Sequence, residues 1–376
     1  MPETKPTISK NEINRAGDTL ISADSESEDY THALEAVQRW RYSHEIPLNE
    51  ITDDLRNRAM AIDQTSLVVS RPKRIPSIQS KLARLKNTRL ARMQDIGGCR
   101  AIMKTVNDVY ALSKVYESAV SSDESSRIRL VKVFDRILQP KPDGYRCLHL
   151  IFNHQTVNHE DGSINEHTIE MQIRTQLQHH WATAVETAAT FLARDLKAGV
   201  GDARWLRFFA LASSVFAIIE GCEMVPETTK KQIDLISEIR SLWYELQVDV
   251  CFEGWLLVAN QIGEDDTTTY FLIIADSRNR TLNVQGFALE ENEIAIEALN
   301  NAELEYAQRP EIQVAKVSVD DVSKLKEAYP NYYAETRGFI DELTAHIEPE
   351  YERKVAPEER ADKDKRPDDD FRDYKR

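Results

Sequence analysis

The chain has 376 residues, 41% hydrophobic and 30% charged, which suits a globular protein of two domains, or of one large domain with additions. Its formal net charge of −15 excludes a surface coated with cations for nucleic acid. No apolar run approaches the roughly 20 residues that span a bilayer, and the polar start MPETKPTISKNE has no signal-peptide core, so a cytoplasmic protein is expected.

Residues 1–27 are polar and rich in Ser, Glu and Asp, and are expected to be disordered. Asp29 to Tyr42 and Leu48 to Gln64 carry helical apolar spacing. Pro76 opens a further helix at its first turn, with Ile75, Ile78, Leu82 and Leu85 as its apolar stripe and Ser77, Lys81 and Arg84 on another face. Gly97-Gly98 leads into a short strand, Cys99 to Lys104, and Asp108 to Ser121 reads as a helix. Arg127 to Leu138 reads as a strand, Pro142-Asp143-Gly144 as a turn, and Tyr145 to Asn153 as a second strand. After the turn VNHEDGSINEH comes a strand at Thr168 to Thr175, then helices at Gln176–Leu196, Ala203–Cys222 and Lys230–Val250. Strands and helices that alternate irregularly from about 71 to 195 predict an α/β domain, which with its flanking helices is expected over 28–225, followed by a connecting helix over 226–250.

From 251 the pattern changes. GWLLVANQI, TTTYFLIIAD and TLNVQGFAL read as consecutive strands, followed by a helix at Asn292–Gln308, a strand at Ile312–Val317 and a closing helix at Val322–His346. A small α+β domain over 251–348 is expected, with a charged, disordered tail over 349–376. The four cysteines, Cys99, Cys147, Cys222 and Cys251, include no CxxC pair and read as small, mostly buried residues.

Three features point to chemistry. Between Arg71 and Lys104 stand ten Lys or Arg against one acid, Asp95, which suggests a pocket for a compact polyanion; a solvated helix face is the plainer alternative. In TIEMQIRT, Ile169, Met171 and Ile173 point one way and Thr168, Glu170, Gln172 and Arg174 the other, as in a lined cleft or an ordinary solvent-facing sheet side. In the strand from Tyr145, the residues Tyr145, Cys147 and His149 share one face and Leu148, Leu150 and Phe152 the other. Asp95 and Glu170, two carboxylates from separate elements, could together hold Mg²⁺ against phosphate oxygens; a salt bridge to a nearby Arg is the alternative for either.

Together these stretches resemble the synthetase domain of the RelA/SpoT family, the ATP-dependent pyrophosphokinases that make (p)ppGpp. RPKRIPSIQSK, DIGGCRAI, FDRILQPKPDGYRCLH and EMQIRT match its four ordered motifs across Arg71 to Leu192. The resemblance implies a nucleotidyltransferase-like mixed sheet flanked by helices, and it assigns roles. Asp95 and Glu170 would be catalytic and bind Mg²⁺, with Glu170 near the attacking 3′-hydroxyl. Arg71 and Arg100 would sandwich the ATP adenine, and Lys73 and Lys81 would meet its phosphates. Lys141, His149, Gln172 and Arg174 would line the acceptor side, where Tyr145 would stack on the base.

Some features depart from the family. No His-Asp pair occurs, and the first 70 residues are too short for the hydrolase domain of long members, so product degradation by this chain is not expected. After Trp181-Ala182 the run continues Glu186-Thr187, without the His that follows Glu in many short members. His179 and His180 read as solvent-facing helix positions. The resemblance implies transfer of the ATP β,γ-pyrophosphate to GTP or GDP. Its alternatives are a toxic member acting on the tRNA 3′ end or making (p)ppApp, and a non-catalytic nucleotide-sensing module. Homo-oligomers, and a regulatory protein partner for the C-terminal domain, are open expectations.

Overall fold

The computed structural model describes residues 9–85, 88–120, 127–157, 164–192, 202–228, 231–261, 268–276, 279, 281–306, 309, 312–328 and 331–348. The expectations for residues 1–8, for the turn at 158–163 and for the tail over 349–376 lie outside them. The chain forms two compact units. The first comprises Met1–Lys141, Tyr145–His179 and Glu220–Glu223, and the second Pro142–Gly144, His180–Ile219 and Met224–Arg376.

The first unit opens with α1 (Lys10–Ser22), where disorder was expected. The stripe Ile13, Ala16, Gly17 and Leu20 is helical in spacing but built partly of small residues, so the polar composition masks it. Ser9 caps the helix by accepting the Glu12 N–H at 3.2 Å. Helices α2 (Glu28–Ser43) and α3 (Glu45–Ile62) follow, broken at His44. A five-stranded sheet comes next, with helices α4 (Ile75–Arg84) and α5 (Val106–Val120) between its strands. Its strands are β1 (Leu67–Pro72), β2 (Gly97–Met103), β3 (Ile128–Asp135), β4 (Leu148–Val157) and β5 (Ile164–Thr175). They lie in the order β1-β2-β5-β4-β3; β2 and β5 run parallel and the other pairs antiparallel, which is the expected mixed sheet.

Strand parity sorts the residues as the alternation predicts. Cys99, Ala101, Leu148, Leu150, Phe152, Ile169, Met171 and Ile173 face a core with Leu48, Ile51 and Leu55 of α3 and Val109 and Leu112 of α5. The opposite face carries the polar set. A second core joins Ile13, Leu20 and Val37 of α1 and α2 to Ile78 and Leu82 of α4 and to Leu90, Met93 and Ile96. The approach at Gly97 is close: a Cβ there would stand 2.6 Å from the Ile169 Cδ1, so the buried Ile169 side chain would have to shift.

The second unit holds most of α6 (Gln176–Phe191) and of α7 (Ala203–Glu220), then α8 (Gln232–Leu246) and α9 (Val248–Gln261). Residues 226–250, expected as a connecting helix, fall here with α8. The strand expected at GWLLVANQI is instead part of α9. Val248, Cys251, Phe252, Trp255, Leu256 and Ala259 are all buried at helical spacing, and a reading that starts at Gly254 cuts that stripe in half. Strands β6 (Tyr270–Asp276), β7 (Thr281–Phe287) and β8 (Ile312–Ser318) form an antiparallel sheet in the order β7-β6-β8. Leu272 and Phe287 of this sheet pack on Ala295 of α10 (Asn292–Tyr306). The expected closing helix is two, α11 (Val319–Ala328) and α12 (Tyr332–Ile347), with Pro330 in the sequence between them. Phe339 of α12 packs against Phe208, Phe209 and Phe216 of α7 and Phe252 of α9. No helix of the described residues is long and apolar enough to cross a membrane.

Candidate active site

The open face of the five-stranded sheet gathers the polar residues by register. Arg71 of β1 lies opposite Gly98 of β2, and Gly98 opposite Glu170 of β5. One pleat along, Arg100 of β2, Gln172 of β5 and His149 of β4 line up in a second row. Gly98 leaves the floor between Arg71 and Glu170 open, because a Cβ there would meet only backbone oxygens at 3.8 and 4.0 Å.

Two ionised carboxylates stand at the centre. Asp95, just before β2, places Oδ2 2.9 Å from Lys73 Nζ and Oδ1 2.9 Å from Lys81 Nζ. Burial pushes its carboxyl up, but the two ammonium groups outweigh that and hold it below the usual range. Glu170 accepts from His149 Nδ1 at 2.8 Å and from Gln172 Nε2 at 2.9 Å. Burial again opposes its charge; the His149 and Gln172 bonds win against it and against the Asp95 charge, which also reaches this group. Burial would lower His149 as well, yet the Cys147 sulfur and the Glu170 carboxylate push it up to about 10. His149 is therefore an imidazolium at neutral pH, and both its nitrogens donate, Nδ1 to Glu170 and Nε2 to the Tyr145 hydroxyl oxygen at 3.0 Å.

Tyr145 differs from the bare platform its place beside a turn suggests. It is half-buried, its hydroxyl is tied to His149, and Lys141 Nζ stands 5.1 Å from its ring centroid. Burial pushes its phenol well above the ordinary value. Arg174 shares the polar face by register but is buried and bonded to His179. His179, expected to face solvent, is correspondingly buried, and a helical His next to an Arg-bearing strand gives no sequence signal of that pairing. Thr187, at the departure from the family pattern, is buried and bonded to the Thr183 carbonyl and to Thr336 of α12.

One residue shapes the loop without having been singled out. Asp135, at the end of β3, accepts from the Ile137 and Leu138 N–H groups at 2.9 and 2.7 Å and from the Tyr110 hydroxyl at 2.9 Å. Its signal was an Asp opening a turn, where such side chains bond the backbone two residues on. Arg146 anchors the same loop through the Ile137 carbonyl at 3.2 Å.

Among the described residues no group of three or more His, Cys, Asp and Glu side chains converges as a metal cage. Two neighbouring carboxylates that both stay ionised do suit Mg²⁺, which takes one or two protein carboxylates and completes its shell with phosphate and water.

The family model described as the region found in RelA / SpoT proteins matches residues 70–192. The GTP pyrophosphokinase YwaC of Bacillus subtilis is 35% identical over 120 residues, covering 30% of this chain and 53% of that relative. A GTP pyrophosphokinase of Photobacterium angustum is 27% identical over 170 residues, covering 43% of this chain and 21% of its own length. The chain thus spans about half the length of the first curated relative and a fifth of the second. The crystal structure of small alarmone synthetase 2 from Bacillus subtilis aligns with a TM-score of 0.40 and 22% identity, over 49% of this chain and 94% of that one. The four ordered motifs thus fall within the stretch, residues 70–192, that matches the RelA/SpoT family model.

Proposed function

We propose that this protein is a cytoplasmic nucleotide pyrophosphokinase that transfers the β,γ-pyrophosphate of ATP to the 3′-hydroxyl of GTP or GDP, making (p)ppGpp. The observation that carries this reading is the pair of ionised carboxylates, Asp95 between two lysines and Glu170 between His149 and Gln172. In the reaction the acceptor 3′-oxygen bonds to the β-phosphorus, the bond from that phosphorus to the α,β-bridging oxygen breaks, and AMP leaves. Glu170 takes the 3′-hydroxyl proton, and the cationic His149 holds its carboxylate in place. Lys73 and Lys81 stabilise charge that grows on the phosphate oxygens. Asp95 and Glu170 would hold Mg²⁺, which supplies Lewis-acid neutralisation of those oxygens. Arg71 and Arg100 flank the adenine, and Tyr145, Lys141 and Gln172 receive the acceptor.

A tRNA acceptor needs an extended cationic surface. Arg84, Arg89 and Arg92 of the basic stretch would have to supply it, with Lys86 outside the described residues, yet Arg89 is paired to Asp18 at 2.7 Å. That pairing supports the nucleotide acceptor. The test offers purified protein and labelled ATP separately with GDP, GTP, ATP and deacylated tRNA. Label on GDP or GTP is expected; label on tRNA alone, or on none of the four, would refute the reading.

A further inference from the structure

The phosphate-side cluster has a neighbour outside the residues that match the family. Arg41 sits in the last turn of α2, and its Nε donates to the Lys73 carbonyl oxygen at 2.6 Å, 32 residues along the chain. Lys73 is thereby held at both backbone ends, since its N–H donates to the Ile96 carbonyl at 2.7 Å, next to Asp95. Its Nζ completes the arrangement at the Asp95 carboxylate.

The Arg41 guanidinium is half-buried, and burial lowers its pKa. Among the described residues it forms no ion pair, and its two Nη groups make no hydrogen bond. A partly desolvated cation held by one neutral carbonyl is costly unless something anionic joins it. A basic residue near a helix C-terminus does gain from the helix dipole. That gain, however, needs no reach to a carbonyl on another element. Lys73 and Lys81 already share the single negative charge of Asp95, so Arg41 adds a positive charge that no carboxylate of the described residues offsets. A guanidinium fork with four free N–H donors suits the oxygens of a polyphosphate.

We propose that Arg41 is a further binding residue for the donor nucleotide: Nε fixes the Lys73 backbone, and the Nη groups bind the β- and γ-phosphates of ATP. This rests on the reading of Asp95, Lys73 and Lys81 as the ATP phosphate side.

The test uses the full chain with Arg41→Ala and Arg41→Lys. Calorimetry measures binding of α,β-methylene ATP and of AMP, and steady-state kinetics give the KM for ATP and for the acceptor. Arg41→Ala should weaken the triphosphate analogue by about tenfold or more, as expected for hydrogen bonds to charged groups. AMP affinity and acceptor KM should stay unchanged, while the melting temperature of the free protein falls slightly with the lost bond to the Lys73 carbonyl. Arg41→Lys, which keeps the charge without the fork, should fall between, and it carries the test if the Ala variant does not fold. A folded variant that binds the analogue as wild type does, or that loses AMP and the analogue equally, overturns the assignment of Arg41 alone. Wild-type protein that binds no ATP analogue overturns the reading of the site, and this inference with it.

Discussion

Tyr145 offers the sharpest test of the acceptor side, because the structure gives its ring and its hydroxyl separate partners. Tyr145→Phe removes the hydroxyl that accepts from His149 Nε2 and leaves the ring beside Lys141. A hydrogen bond to a charged group is worth about 1.5–3 kcal/mol, so kcat/KM for the acceptor should fall about 10- to 150-fold. His149 keeps its bond to Glu170, which limits the loss. Tyr145→Ala also removes the face that would stack on the acceptor base, worth about 1–3 kcal/mol, or a further factor of about 5–150. Lys141 loses its aromatic neighbour too, and the sum will not be strictly additive. The assay is initial-rate transfer with acceptor and ATP varied in turn, alongside thermal melting to verify the fold. ATP KM should be constant across the series. Equal losses in Phe and Ala would show that the ring face does nothing, and stacking on Tyr145 would be the wrong account.

Asp95→Asn and Glu170→Gln should each lower pyrophosphate transfer at least ~100-fold while cooperative melting persists, because both acids face the open side of the sheet; near-wild-type turnover by either would remove the two-carboxylate mechanism. His149 titrates at about 10 in the folded chain against an ordinary 6.5, so its stabilising contribution is whole below 6.5 and is lost as pH rises through 10; the melting temperature should fall across that window, and His149→Gln should flatten the fall. Burial holds His44 at about 4 and His167 at about 3, so the unfolded chain takes up protons that the folded chain refuses; stability should drop as pH falls from 6.5 toward 4, less steeply in His167→Phe. Phe339→Ala should cost the second unit about 3–5 kcal/mol by denaturant unfolding, and a chain ending near residue 250, which also loses Phe252 and Trp255, should be insoluble rather than an active core.

What the sequence revealed follows from the range of the interactions involved. Strand parity in TIEMQIRT needs only neighbours two residues apart, and it sorted Ile169, Met171 and Ile173 from Glu170 and Gln172 correctly. The motif spacings likewise marked Asp95, Lys73 and Lys81, which meet in space. The bond between the Tyr145 hydroxyl and His149 has no sequence signal, because it depends on how a turn delivers the ring to a strand face. Arg174 was legible as polar-face but not as buried, since His179 lies on the helix that follows. Helix α9 was misread because strand and helix compete for any short apolar run, and only the full stripe from Val248 to Ala259 decides between them.

The stretch that matches the family is not a folding unit, and the second core shows why. Asp95 is flanked by Met93 and Ile96, Lys81 by Leu82, and all three apolar neighbours are buried against residues of α1 and α2. Residues 70–192 alone would return Ile78, Leu82, Leu90, Met93 and Ile96 to water, at about 1.5–3 kcal/mol for each side chain of this size. That sum is comparable with the whole stability of an ordinary domain. The cost falls on the segment that carries both lysines and Asp95, and the sheet loses Leu48, Ile51 and Leu55 of α3 as well, keeping only its packing on α5. Helices α1 and α2 are therefore part of the site's frame: the core they close fixes where the two ammonium groups meet the carboxylate, and Arg41 extends that frame to the Lys73 backbone.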